Sequence, residues 1–179
     1  FIMLLLQRLF RKTEADPRDA LRPLYAQIVA TARQPHWFVE GKVADTIEGR
    51  FEMVAIILSL VLLRLEGDTE QAGSTALLIE LFVEDMDPQL REVGIGDMIV
   101  GKHIGRLVGA LGGRLGAYRD ALAAPERAPA FGAALVRNLY AGTEPEPAGL
   151  GHVRECALAF VDRLAGMQAQ KILADGIGG

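Results

Sequence analysis

Glu84-Asp85-Met86-Asp87-Pro88-Gln89-Leu90-Arg91-Glu92-Val93-Gly94-Ile95-Gly96-Asp97-Met98-Ile99-Val100-Gly101-Lys102 follows an apolar run, sets five acids among three glycines and ends on a GxxxxGK pattern. Two readings compete for it. A phosphate-binding loop needs a preceding β-strand, backbone N–H groups free to wrap phosphate, and a Ser or Thr after the lysine to hold magnesium. The chain offers Pro88-to-Ile95 in place of the strand, the bulky Met98-Ile99-Val100 inside the loop, and His103 in place of the hydroxyl. As a junction between helices, Gly94 and Gly96 allow a sharp turn and Asp97 caps the helix that follows. The junction reading explains more of the residues, and it makes the protein helical.

Working outward, Leu21, Leu24, Tyr25, Ile28, Val29 and Ala32 recur at the helical period until Pro35. Trp37 and Phe38 then fall in a loop running to Asp45-Thr46, either of which can cap a helix over Ile47 to Glu66. Gly67-Asp68 stops it. A third helix is expected from Glu70 to Met86, with Leu77, Leu78, Leu81 and Phe82 inward and a new turn opening at Asp87-Pro88. Further helices are expected from Asp97 to Leu122, from Ala130 to Tyr140 after the interrupting Pro125 and Pro129, and from Gly149 to Ala174. Thr143-Glu144-Pro145-Glu146-Pro147 reads as a linker. With no alternating strand pattern, the expected fold is all-α, a single-domain compact bundle of about six helices. Residues 1–16 stand apart from the helical domain of residues 17–179 as an apolar and basic N-terminal segment.

At 179 residues, half of them apolar, the chain has enough material for one core. Its single cysteine, Cys156, excludes an internal disulfide. A net charge of -4 argues against nucleic acid as a partner. Locally the balance reverses: Arg91, Lys102, Arg106, Arg114 and Arg119 face only Glu92 and Asp97 over that stretch. No apolar segment reaches the ~18–20 residues of a membrane span. Residues 3–12, apolar and then basic, suit either a membrane interface with anionic lipid or a first helix packed on the core.

No catalytic constellation, cofactor motif or metal-ligand spacing is legible. Glu84, Asp85 and Asp87 lack the alternation of a calcium loop, although an acidic metal site there, in a helical enzyme or carrier, is the alternative reading. His36, His103 and His152 stand far apart, which argues against zinc, and haem handling through His103 or His152 is a weaker alternative. Cys156, on an apolar stripe with Phe160, reads as a small core residue. Trp37 and Phe38 are either plugs on the core or anchors of an interface. Gly101, Gly105, Gly109 and Gly113 recur every four residues, which suits either tight packing inside the domain or a groove for a partner's helix.

Taken in order, several motifs resemble the ubiquinol–cytochrome c chaperone family. They are Leu24-Tyr25, Ala32-Arg33-x-Pro35, Asp45-Thr46-x-x-Gly49-Arg50-Phe51-Glu52, Asp85-Met86-Asp87-x-x-Leu90-Arg91-Glu92-x-Gly94-x-Gly96-Asp97-x-x-Val100-Gly101-Lys102, and Gly113-Arg114-Leu115 with Tyr118. The chain departs at Leu111-Gly112, where the family carries aromatics. The resemblance implies a helical, non-enzymatic assembly factor of the cytochrome bc1 complex that holds newly made cytochrome b near the membrane. In mitochondria such proteins work with a small partner and the ribosome. The bacterial form is expected here, cytoplasmic and touching the inner face of the inner membrane through residues 3–12. On this reading Trp37, Phe38, Asp85, Asp87, Arg91, Asp97 and Lys102 lie on or just under the client surface.

Overall fold

The computed structural model describes residues 15–91 and 100–178, with side chains for residues 15–88 and 105–178. The helices are α1 (Arg22–Ala32), α2 (His36–Val39), α3 (Ile47–Glu66), α4 (Ala72–Arg91), α5 (Val100–Ala123), α6 (Arg127–Asn138), α7 (Pro147–Ala165) and α8 (Ala169–Asp175). Short 3-10 turns at Asp19–Leu21 and Thr69–Gln71 lead into α1 and α4. No strand occurs among the described residues.

The bundle is organised around α3. Every residue from Met53 to Leu62 is buried, so the helix is apolar all round and has protein on all sides. It packs against α1, α4, α5 and α7. Ser59, the polar member of that run, donates to the Ala55 carbonyl one turn back at 2.6 Å and so leaves no orphan hydroxyl in the core. Thr46 starts the helix: its hydroxyl accepts the Gly49 N–H at 3.1 Å, satisfying one of the free amides of the first turn. A Cβ on Gly49 would stand 1.9 Å from the Ala44 carbonyl oxygen, so glycine is required at this close approach.

Four expectations are corrected. Trp37 and Phe38 lie on the short helix α2, not in a loop. Pro88 does not open a new turn: α4 runs through it to Arg91. Proline's own φ is helical, but the ring removes the hydrogen bond to the Glu84 carbonyl and crowds that carbonyl. Leu78, Leu81, Phe82 and Met86, all buried, hold the helix to the core across that gap. Pro129 sits in the first turn of α6, where its missing N–H has no intrahelical acceptor to lose.

The last expected helix is two. α7 ends at Gly166 and α8 begins at Ala169. Gly166 caps α7, and Arg64 of α3 braces the break: its Nε donates to the Leu164 carbonyl at 3.0 Å and its Nη2 donates to the Met167 carbonyl. The guanidinium thus satisfies carbonyls freed where the helix stops. Beyond α8, Gln27 Oε1 on α1 accepts the N–H groups of Ile177 and Gly178 at 2.7 and 2.9 Å, tying the end of the described chain to its beginning.

Candidate functional site

Two acids at the end of α4 are engaged from within the domain. Glu84 pairs with Arg18 at 3.1 Å and with Arg22 at 3.5 Å. Asp85 accepts the Tyr25 hydroxyl at 3.0 Å, fastening α4 to α1. Burial, and then the Asp85 carboxylate, push the Tyr25 phenol well above its usual range. These contacts argue against the acidic metal site: among the described residues, Glu84, Asp85 and Asp87 do not converge on one ion position.

Between α1 and α4 lies an open cavity of about 600 Å³. Its walls combine the apolar Tyr25, Ala26, Val29, Ala30 and Leu81 with the charged Arg22, Arg33, Glu84 and Asp85. Apolar walls with a few charges are the composition of a groove that takes an amphipathic element.

Trp37 is only 3% exposed, and its indole N–H donates to the Thr31 carbonyl at 2.7 Å. Its ring is therefore packed on the core, just under the surface, where it also lines a cavity with His36 and Cys156. Phe38 is half-buried against the core and lines a smaller cavity of about 320 Å³ with Arg33, Pro35, Val39, Asp45 and Arg50. Val39 beside it is 61% exposed. Asp87 is half-buried near the end of α4. Arg91 and Lys102 belong to α4 and α5, but their side chains, like the whole of Asp97, lie outside the described residues.

On α5, Leu107, Leu111, Tyr118 and Ala121 form the buried face. Gly105, Gly109, Gly112 and Gly113 lie exposed, and among the described residues nothing stands within 4 Å of where a Cβ would be on any of them. Packing against the described residues does not account for these glycines. Val108, on the same exposed side, is 44% accessible. Gly101 lies outside the residues whose side-chain surroundings are described.

A third feature escaped the sequence. His36 on α2 and His152 on α7 meet, Nδ1 to Nε2, at 2.9 Å, and Cys156 Sγ lies 3.8 Å from the same His152 nitrogen. Burial, and next the neighbouring His152, hold the His36 imidazole below its usual pKa. Burial, then Glu155, push the Cys156 thiol up, the wrong direction for a nucleophile. The pairing of His152 and Cys156 four residues apart was readable on one helix face, but His36 is 116 residues from His152.

Comparison with known proteins joins this geometry to a family. The profile described as ubiquinol-cytochrome C chaperone matches residues 39–177. Among solved structures, the crystal structure of the Cbp3 homolog from Brucella abortus is 33% identical, with a TM-score of 0.78, covering 98% of this chain and 94% of that one. A comparison with curated proteins finds no match. The match takes in α3 with its Thr46 cap, the α4–α5 junction and the open face of α5, and by it this chain belongs to the ubiquinol–cytochrome c chaperone family.

Proposed function

We propose that this protein is a non-enzymatic assembly chaperone of the ubiquinol–cytochrome c reductase complex and that it holds newly made cytochrome b. Family membership supports the assembly role. The observation that carries the client-binding part is the open glycine face of α5. Each glycine in a helix interior lowers stability by about 1 kcal/mol relative to alanine, and nothing in the described domain makes use of the space they leave. A transmembrane helix of the client is the partner that suits such a face, because small residues let two helix backbones approach closely.

The charges of the α4–α5 junction set the register of that helix. Asp85, Asp87, Arg91, Asp97 and Lys102 recognise charged loop ends of the client, and Phe38 with Val39 supplies a second apolar contact. No described helix is long and apolar enough to cross a membrane, so the proposal assigns membrane contact, at the inner face of a bacterial inner membrane, to residues 3–12. A small co-chaperone and the ribosome are the further partners on this reading.

Arg91→Ala combined with Lys102→Ala tests it. Capture of cytochrome b from solubilised membranes is expected to fall by about tenfold, the loss of ~1.4 kcal/mol, with the melting temperature unchanged. Intact capture with a large drop in melting temperature would make both residues structural.

A further inference from the structure

We propose that His36, His152 and Cys156 bind one zinc ion. Each offers a ligand atom, and the three atoms lie within 4.8 Å of one another. In a tetrahedral zinc site, arms of roughly 2.0–2.1 Å to nitrogen and 2.3 Å to sulfur put two nitrogens ~3.3 Å apart and nitrogen and sulfur ~3.5 Å apart. Two of the three separations, 2.9 and 3.8 Å, have to change by only a few tenths of an ångström, and the third, between His36 and Cys156, is within 4.8 Å. Two imidazoles and a thiolate form a borderline-soft donor set that suits zinc better than magnesium or calcium.

The surroundings orient the first ligand. Gln34 Oε1 lies 3.0 Å from His36 Nε2, where an amide oxygen accepts a hydrogen bond from the Nε2–H tautomer, which leaves the Nδ1 lone pair facing His152. A hydrogen bond on the far ring nitrogen is the usual device for fixing the tautomer of a metal-binding histidine. The backbone holding His36 is itself pinned. Trp37 is locked to the Thr31 carbonyl, and the Tyr140 hydroxyl donates to the Gly41 carbonyl at 2.6 Å. A Cβ on Gly41 would stand 2.6 Å from Val153 Cγ2, and one on Gly149 would stand 3.1 Å from the Gly41 carbonyl oxygen. The segment after α1 therefore sits tightly on the same helix, α7, that carries His152 and Cys156.

Without metal, His152 Nε2–H donates to His36 Nδ1. On binding, that ring proton moves to His152 Nδ1 and the Cys156 thiol releases its proton to solvent, leaving a complex of net charge +1 on the ion and its ligands. His36 and Cys156 also line a surface cavity of about 450 Å³, through which water reaches the fourth position. A zinc ion there fastens α2 to α7 independently of the client face on α5.

The test is titration of the purified full chain with cobalt(II) as the spectroscopic stand-in for zinc. A thiolate-to-cobalt charge-transfer band and tetrahedral d–d bands are expected, saturating at one equivalent and erased by zinc. Cys156→Ser removes the charge-transfer band, and His152→Gln and His36→Gln remove the tetrahedral bands, while helical circular dichroism is unchanged. Gln34→Ala weakens binding by about tenfold. An unchanged aqua-ion spectrum, or tetrahedral bands that survive all three ligand substitutions, would overturn the site.

Discussion

Arg114 of α5 closes a bidentate ion pair on Glu52 of α3, Nε donating to Oε2 at 2.5 Å and Nη2 donating to Oε1. The two side chains are 19% and 14% exposed, and the guanidinium also donates to the Ala110 carbonyl at 3.0 Å and sits over the Phe51 ring. Its hydrogen bonds to Glu52 hold the arginine above its ordinary pKa. Both residues belong to motifs that carry the family resemblance. Their role is to fix the angle of α5, and with it the direction in which the glycine face looks.

Arg114→Ala is therefore expected to lower stability by about 2 kcal/mol, since it leaves a largely buried carboxylate without its partner. Arg114→Met with Glu52→Leu recovers part of that loss. Urea denaturation of the three variants checks both statements.

Tyr118, one turn after Arg114 on α5, is fully buried, and its hydroxyl has no hydrogen-bond partner among the described residues. Tyr118→Phe removes an unsatisfied polar group without changing the ring. The expected result is unchanged stability or a gain of up to ~1 kcal/mol, read from the same denaturation curves. A loss above that size would mean that the hydroxyl has a partner.

At the other end of the described chain, Arg18 donates to both oxygens of Asp16. The side-chain and backbone hydrogen bonds from Arg18 hold the Asp16 carboxyl down to about 2 from the ordinary 3.8. The native state thus binds a proton here less readily than the unfolded chain. This contribution to stability is present above about 3.8 and is lost as pH falls toward 2. Carbon-detected titration of Asp16 is expected to give a midpoint near 2 that returns toward 3.8 in Arg18→Ala.

Gly109→Ala separates folding from function. With open space at the Cβ position, the substitution is expected to raise stability by about 0.5–1 kcal/mol. Thermal and urea unfolding measure it. A destabilised variant would place a neighbour against α5.

Local signals carried some elements and failed for others. The bounds of α3 were readable because a threonine cap, an apolar run interrupted only by Ser59 between Met53 and Leu63, and a terminal glycine all agree. Pro88 and Pro129 misled because the effect of a proline depends on where it falls in a helix and on what packs beside it, here Met86 and the first turn of α6. The break at Gly166 is braced by Arg64, 100 residues from Leu164, and no window around α7 contains that contact. Aromatic character singled out Trp37 but did not say which way its ring faces; the hydrogen bond to Thr31 decides that. The glycine repeat was plain in the sequence, yet its two meanings differ only in what lies opposite, which only the fold reveals. The histidine–cysteine cluster was hidden for the same reason as the α7 break.

The central claim is that the open face of α5 holds the client, and site-specific photocrosslinking during cytochrome b synthesis tests it most directly. A photoreactive residue at Gly109 is expected to give an adduct with a transmembrane segment of cytochrome b, while one at the exposed Glu126, beyond the end of α5, gives none. Gly105→Leu with Gly109→Leu is expected to abolish capture in a protein that folds normally. An adduct at Glu126 with none at Gly109, together with full capture by the double leucine variant, would contradict the account.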